Sequence, residues 1–393
     1  MENNNYRAKQ VIKLDREIRK INPYINNTHI GFLVTSEESN FRLYLKKENN
    51  ITDDKEKMED LNMDNTKKED NLREDLLQSE INGHSIKGLK KKMDMTGQDV
   101  FDIIKDLSDN VKYFAVYDGH GTKGLQAAEG LRNEIRKKLY SDKKLISGFK
   151  DLKKVEAYFK SLYRSIQKKL AGTNEYDLSG TCSISVLLVD NKMFVINLGD
   201  SRCVLGQTKG GDENKVGEKI GVEMSIDQKP VREDEKSRII EKGGEVSDKL
   251  AGAPRVYRKN DEVPGLAVSR SIGDIVAHEV GVSCEPEIFE KELDSDDHFI
   301  VIGSDGIWDA MSSCEVVGFI FQKMENQKSK CAQLLAEECR NRWEILNLYK
   351  QKYLTEMDIN QDQNKSRNAK NNIIDIDDIT CIIDFLNIEK DEF

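Results

Sequence analysis

Basic charge is what this 393-residue chain has too little of: 71 Asp and Glu outweigh 61 Lys and Arg, for a net charge of −10. That balance, with a pI near 5.3, excludes a nucleic-acid binder whose affinity comes from a broad basic face. Long apolar runs are missing too, and none approaches the roughly 18 residues of a membrane-spanning helix. The opening Met1-Glu2-Asn3-Asn4-Asn5 has neither the apolar core of a secretory signal nor the Gly that myristoylation requires. Seven cysteines are present, an odd number with no Cys-x-x-Cys pair, mostly inside apolar runs. They predict no disulfide framework; the expectation is buried, reduced thiols in an intracellular, cytoplasmic setting.

Carboxylates at the ends of apolar runs are what the chain does have. Tyr113-Phe114-Ala115-Val116 leads into Asp118-Gly119-His120-Gly121, and Phe299-Ile300-Val301-Ile302 into Ser304-Asp305-Gly306. Phe194-Val195-Ile196 leads into Gly199-Asp200, while Asp377-Asp378 precedes Ile379-Thr380-Cys381-Ile382-Ile383. One Asp-Gly is ordinary turn chemistry. Several carboxylates gathered at strand mouths repel one another, and a divalent cation relieves that repulsion. A Gly beside such an Asp lets its backbone carbonyl approach closely enough to supply another oxygen. Oxygen-only ligands favour magnesium or manganese over zinc.

The organisation along the chain is uneven. Residues 1–81 read as an N-terminal extension with a short amphipathic helix at Val11–Ile21 and strands at Ile30–Val34 and Phe41–Leu45. From Lys46 to Glu80 the composition is dense in Lys, Glu, Asp and Asn, which suits a mobile linker; the rival reading is a partner-binding arm that orders on contact. Residues 82–388 hold the motifs, and 389–393 form a short acidic tail. Apolar periodicity predicts helices over Thr122–Tyr140, Asp151–Leu170, Ser313–Met324 and Lys330–Leu348. Gln207–Gly221 reads as a surface hairpin or loop, Pro254–Pro264 as a surface crossing, and Tyr353–Asn372 as a polar insertion. Strands grouped with helices outside them make the fold class α+β.

In order, Ser179-Gly180-Thr181, Leu198-Gly199-Asp200-Ser201-Arg202, Asp227-Gln228-Lys229-Pro230, Gly265–Asp274, Glu285-Pro286-Glu287 and Ser304–Asp309 join the motifs above. Together they resemble the metal-dependent protein serine/threonine phosphatases of the type 2C family, over roughly residues 82–388. The resemblance implies a central β-sandwich of mainly antiparallel sheets flanked by antiparallel helices, four layers in all. It implies a site for two Mg2+ or Mn2+ ions, with Asp118 bridging, the Gly119 carbonyl, and Asp305 and Asp377 completing the second position. Asp200 and Asp274 would serve a weaker third position or cap turns at strand ends. Asp99 fits the family's early acidic motif, with Met93-Asp94 as a rival register; Gln98 stands where relatives commonly place a carboxylate. His120 would protonate the leaving alkoxide. Lys90, Lys91 and Lys92 occupy the region where many relatives have a phosphate-binding Arg, and lysine offers a point charge without the bidentate fork.

The implied activity is hydrolysis of phosphoserine and phosphothreonine in proteins by a metal-activated water. No cysteine opens a Cys-x5-Arg phosphate loop, so a thiol-nucleophile route is excluded. Gln98, the missing Arg and the long polar arm support a second reading, a catalytically weak or silent interaction module. A phosphatase of small phosphorylated metabolites is a third. The expected partners are phosphoprotein substrates and a protein bound through residues 1–81, around a monomeric catalytic domain.

Overall fold

Every second side chain changes sides along the central strands, and that alternation builds the fold. Tyr113, Ala115, Tyr117, Leu187, Phe194 and Ile196 face a helix layer. Phe114, Val116, Ile184, Val186 and Val195 face a second sheet, where they meet Cys203, Leu205, Ile300, Ile302 and Ile382. The next residues of those partner strands, Val204, Phe299, Val301, Cys381 and Ile383, point outward onto a second pair of helices. Three apolar seams therefore separate four layers, helix–sheet–sheet–helix, as the resemblance implies.

The computed structural model describes residues 29–31, 44–46, 80–89, 97–173, 175–210, 217–248, 253–361 and 376–387. The chain divides into two compact units, Met1–Asp70 and Asn71–Phe393. In the first, strands His29–Gly31 and Tyr44–Lys46 pair antiparallel with His29 opposite Lys46. The helix expected at Val11–Ile21 and the polar stretch 47–79 lie outside the described residues.

In the second unit, one sheet runs in the order Glu287–Glu292, Lys192–Leu198, Gly180–Val189, Val111–His120, Asp99–Ser108, with Ile272–Gly273 added on Gly180–Val189. The other runs Ile81–Ile86, Ile379–Phe385, Asp297–Gly303, Arg202–Lys209, Glu218–Glu223. All the strand pairs within these two sheets are antiparallel. The stretch Gln207–Gly221 thus belongs to a hairpin.

Helices Gly124–Ser141 and Leu152–Leu170 cover the first sheet through Ala128, Leu131, Ile135 and Leu139, and Val155, Phe159, Tyr163 and Ile166. They run antiparallel. Glu134 of the first bonds Lys169 near the end of the second at 2.5 Å, while Asp142, just past the end of the first, stands against Tyr158 near the start of the second. Asp151 caps the second helix by accepting from the Lys153 and Lys154 amides. On the far side, Ser313–Gln327 opens with a capping box between Ser312 and Glu315.

The last helix, Cys331–Gln361, is longer than the periodicity predicts. No Gly or Pro stands between Leu348 and Gln361 to stop it, and Lys, Glu, Gln and Leu propagate a helix well. The first part of the expected insertion at Tyr353 is therefore helical. The crossing expected at Pro254–Pro264 is also more ordered than anticipated. Arg255–Arg258 and Pro264–Leu266 join Gly244–Ser247 in a small three-stranded sheet. Helix Glu233–Glu241, which the sequence reading did not anticipate, packs there through Ile239 beside Val256, Ala277, Val280 and Val282. Five cysteines are buried, Cys284 is half-buried and Cys314 is exposed, all unpaired. Among the described residues no helix is long and apolar enough to cross a membrane.

Because each seam is filled from both sides, loss of one ring leaves a void. Phe194→Ala, at a fully buried position, should cost about 3–5 kcal/mol. Leu145→Ala, where 57% of the residue is exposed, should stay within about 0.5 kcal/mol. Urea midpoints at unchanged m-value compare the two.

Candidate active site

Antiparallel pairing brings strand ends together from both sheets, and the acidic motifs sit at one such mouth. Asp99 lies directly opposite Asp118 in the ladder between Asp99–Ser108 and Val111–His120. Asp200 follows Lys192–Leu198 in the same sheet, and Asp305 follows Asp297–Gly303 in the other. The carboxylate oxygens of Asp118, Asp200 and Asp305 lie within 4.8 Å of one another. Asp377, which leads into strand Ile379–Phe385, raises the pKa of both Asp118 and Asp305 through its charge.

Crowding and withdrawal from water act in one direction here. Burial, then the charges of Asp99, Asp305, Asp377 and Asp200, push the Asp118 carboxyl well above the carboxylate range. Burial, then Asp377, Asp200 and Asp309, do the same to Asp305. Asp99 is pushed up to about 7 by burial and the Asp378 charge, against the pull of the Ser304 and Thr380 hydroxyls. Burial also pushes Asp200 up, but the Lys229 ammonium overcomes it and holds that carboxyl below its usual range. Lys229 Nζ bonds Asp200 Oδ2 directly. Sequence reasoning noted the Asp227-Gln228-Lys229-Pro230 motif without giving Lys229 a place at the mouth. It also passed over Asp309, one helical turn beyond Asp305, whose pKa is raised by burial and by Asp200 and Asp377 against the pull of Lys229.

A second group of clustered carboxylates gives the contrast. Asp234, Glu235 and Glu287 also converge, but three guanidinium groups neutralise them. Arg270 reaches Glu235 at 2.6 Å, Arg238 reaches it at 2.7 Å, and Arg232 reaches Glu287 at 2.5 Å. Despite burial, those arginines hold Glu235 down at about 2. The Asp118 mouth has the same acid density with Lys229 as its ion-paired cation, so its residues fit divalent cations as counter-charge.

Asp378, beside Asp377, does a different job. Its carboxylate accepts from the Gly88, Gly97 and Gln98 amides at 2.7, 2.8 and 2.7 Å. It thereby ties both sides of the Lys90–Lys92 segment to the last strand. Gln98 donates from Nε2 to the Gly121 carbonyl at 2.7 Å, a bond that a carboxylate cannot make. Asp99 Oδ2 accepts from Ser304 Oγ at 2.7 Å. At Gly119 any Cβ would stand 2.4 Å from the Gly124 carbonyl oxygen and 2.8 Å from that of Gln98, so only glycine fits beside Asp118. Lys90, Lys91, Lys92 and Asp94 lie outside the described residues.

His120 ends the strand that carries Asp118. Its Nε2 meets Asp274 Oδ2 at 2.6 Å, and that oxygen also accepts from Ser271 Oγ at 2.6 Å. Asp274 is thus placed on the imidazole rather than within the Asp118, Asp200 and Asp305 group. Arg202 and Arg270 lie in ion pairs, bonding Asp227 at 2.8 Å and Glu235 at 2.6 Å.

A family model for protein phosphatase 2C matches residues 79–345. Probable protein phosphatase 2C 35 of Arabidopsis thaliana is 32% identical over 267 residues, covering 62% of this chain and 73% of its own. Probable protein phosphatase 2C 73 of the same plant is 30% identical over 253 residues, covering 59% and 65%. Among solved structures, a serine-threonine phosphatase 2C from Toxoplasma gondii shares the fold at a TM-score of 0.58 and 19% identity. It covers 79% of this chain and 96% of its own.

The raised carboxyl pKa values set a pH dependence. Asp99 binds its proton up to about pH 7 when folded and releases it near its ordinary value of 3.8 when unfolded. Asp118 and Asp305 are shifted in the same direction. Through that window the folded state holds more protons, so stability falls as pH rises. Metal-free protein should melt several degrees higher at pH 6.5 than at pH 8, and saturating Mg2+ should erase the difference. Equal melting temperatures without metal, measured by calorimetry, would contradict the electrostatic account.

Proposed function

Because the chain belongs to the protein phosphatase 2C family and is a serine/threonine protein phosphatase, we propose that it acts on phosphoserine and phosphothreonine at the Asp118 mouth. Asp118, the Gly119 carbonyl, Asp305 and Asp377 would hold two Mg2+ or Mn2+ ions, with Asp99 supporting them and Asp200 serving a weaker third position. The supporting observation is the convergence of Asp118, Asp200 and Asp305 within 4.8 Å, with pKa values at Asp118 and Asp305 displaced by mutual repulsion. When bound, such ions neutralise phosphate charge and lower the pKa of water towards neutrality.

The chain's own groups supply the rest. Asp378 and Gln98 fix the loops on either side of Asp99, so the carboxylates meet the cations without rearrangement. His120 donates the proton that the departing seryl or threonyl oxygen needs, its ring held by Asp274. Ser271 fixes that aspartate in turn. Lys229 offsets part of the carboxylate charge, which limits the repulsion that an incoming phosphate meets. The Gln98 substitution does not favour a silent module, since its amide makes a bond of its own in the site.

Chelation should abolish phosphopeptide turnover, and Mg2+ or Mn2+ should restore it. Asp305→Asn should weaken Mn2+ binding by calorimetry and turnover together. Undiminished turnover after thorough metal removal would overturn the mechanism. His120→Ala should leave Mn2+ binding within about twofold while seryl phosphate turnover drops roughly a hundredfold or more. Aryl phosphates, whose leaving groups need little protonation, should lose much less. Equal losses on both substrates would make His120 a structural residue.

A further inference from the structure

The helix layer over the first sheet carries charge opposite in sign to that of the whole chain. From Gly124 to Leu170, thirteen Lys and Arg stand against five Asp and Glu, a local excess of eight positive charges in a chain of net −10. Three of the five acids are paired within the layer, Glu134 to Lys169 at 2.5 Å, Asp142 to Lys138 at 2.8 Å and Glu156 to Lys160 at 2.5 Å. Lys137, Lys143, Lys144, Lys153, Lys154 and Lys168 are all exposed.

A groove of about 550 Å3 runs between helices Gly124–Ser141 and Leu152–Leu170. Tyr158, Leu162 and Ile166 give it an apolar lining; of its lysines, Lys138 and Lys169 are paired to the lining acids Asp142 and Glu134, and Lys137 leaves the lining one charge positive, with Lys143 and Lys144 exposed beside it. Leu145, another lining residue, is 57% exposed, and Tyr140 nearby in the chain is 45% exposed. The groove follows the first helix from Glu134 to Asp142. That helix starts at Gly124, directly after the Asp118–Gly121 motif. At 1.5 Å rise per residue the groove spans about 15–27 Å along the axis from the helix start. An extended chain covers that distance in roughly five to eight residues.

We propose that this groove docks an acidic segment of a phosphoprotein substrate, seating one apolar side chain beside Leu145 and Tyr158. The segment lies roughly five to eight residues from the phosphorylated residue; the proposal rests on the phosphatase reading above. Charge complementarity selects an acidic ligand, and the field's limited reach selects a short one. A long polyanion or an anionic bilayer would also meet the remainder of the chain, whose net charge is −18 by difference. A peptide within one Debye length of the groove, about 8 Å at physiological salt, meets mainly the basic layer. The recessed apolar lining adds a pocket for one side chain, which suits a linear segment better than a flat surface.

The test uses the full chain and two phosphoserine peptides. One is short; the other carries an eight-residue neutral spacer followed by an Asp- and Glu-rich segment with one Leu. The tailed peptide should show a KM about five- to tenfold lower at similar kcat, an advantage that fades between 50 and 500 mM salt. Lys137→Glu with Lys144→Glu should remove it, and Leu145→Ser should roughly halve it, while aryl phosphate turnover stays unchanged in both variants. Fluorescence anisotropy of the unphosphorylated tail should show the same order of binding without any turnover. A wild type that hydrolyses both peptides with one KM and does not bind the tail would overturn the docking groove alone. Binding of anionic vesicles that the charge reversal abolishes, with no effect of the tail, would overturn it in favour of a membrane surface. Failure to hydrolyse any phosphoester, with the tail still bound, would sink the phosphatase reading and leave the groove an acidic-segment site.

Discussion

Repulsion among carboxylates is the constraint around which the site is arranged. Asp118, Asp200 and Asp305 are brought within 4.8 Å because two antiparallel sheets end at one mouth. The Asp234, Glu235 and Glu287 group shows what the chain does when clustered acids serve only structure: it surrounds them with Arg232, Arg238 and Arg270 and holds Glu235 at about 2. At the Asp118 mouth the carboxyl pKa values of Asp118 and Asp305 move the other way. The same residue type, at similar density, is left in deficit of positive charge at one place and supplied with it at the other.

Holding such a cluster requires rigid surroundings, since mobile loops would let the acids separate. Much of that rigidity comes from donors aimed at Asp378, whose three amide bonds join Gly88, Gly97 and Gln98 to the last strand. Ser304 links Asp99 to the turn before Asp305. Gly119 permits the close approach of Gly124 and Gln98, and Gln98 in turn ties down the Gly121 carbonyl. The Asp378 and Ser304 bonds each join segments more than 200 positions apart. A substitution at Asp378 would therefore disturb several loops at once, although Asp378 takes no part in the Asp118, Asp200 and Asp305 group.

Alternating apolar runs and helical periodicity made the layers legible before any coordinates, and Tyr113–Tyr117 with Leu131, Ile135 and Leu139 behave as their spacing predicts. The sandwich itself came only through family resemblance, because period-two alternation says which face is buried and not which sheet lies against it. Helix Glu233–Glu241 escaped notice because its first turn is wholly acidic and it buries only Glu235 and Ile239, leaving almost no apolar periodicity. The continuation of the last helix to Gln361 was hidden by polar composition. At the site, the strand-end aspartates were readable from chain position alone. The Lys229 ion pair and the Asp274 bond to His120 were not, since each joins residues more than 25 positions apart.

The helix layer extends this reasoning to the outside of the molecule. A helix covering a sheet needs apolar residues on one face only, so its outer face is free to carry whatever charge function requires. In Gly124–Ser141 and Leu152–Leu170 the inner positions are filled by Leu131, Ile135, Val155 and Phe159, and the outer ones hold lysine far beyond what the chain's acidic balance would suggest. Solubility does not call for it, because a net charge of −10 already provides mutual repulsion. Nor does the helix dipole, which rewards positive charge only in the last turn, whereas Lys153 and Lys154 lie in the first turn of Leu152–Leu170. A surface that opposes the overall charge, and at Lys153 and Lys154 its helix dipole as well, is best accounted for by what approaches it, and the groove lies along the helix that starts at Gly124, just after the Asp118–Gly121 motif.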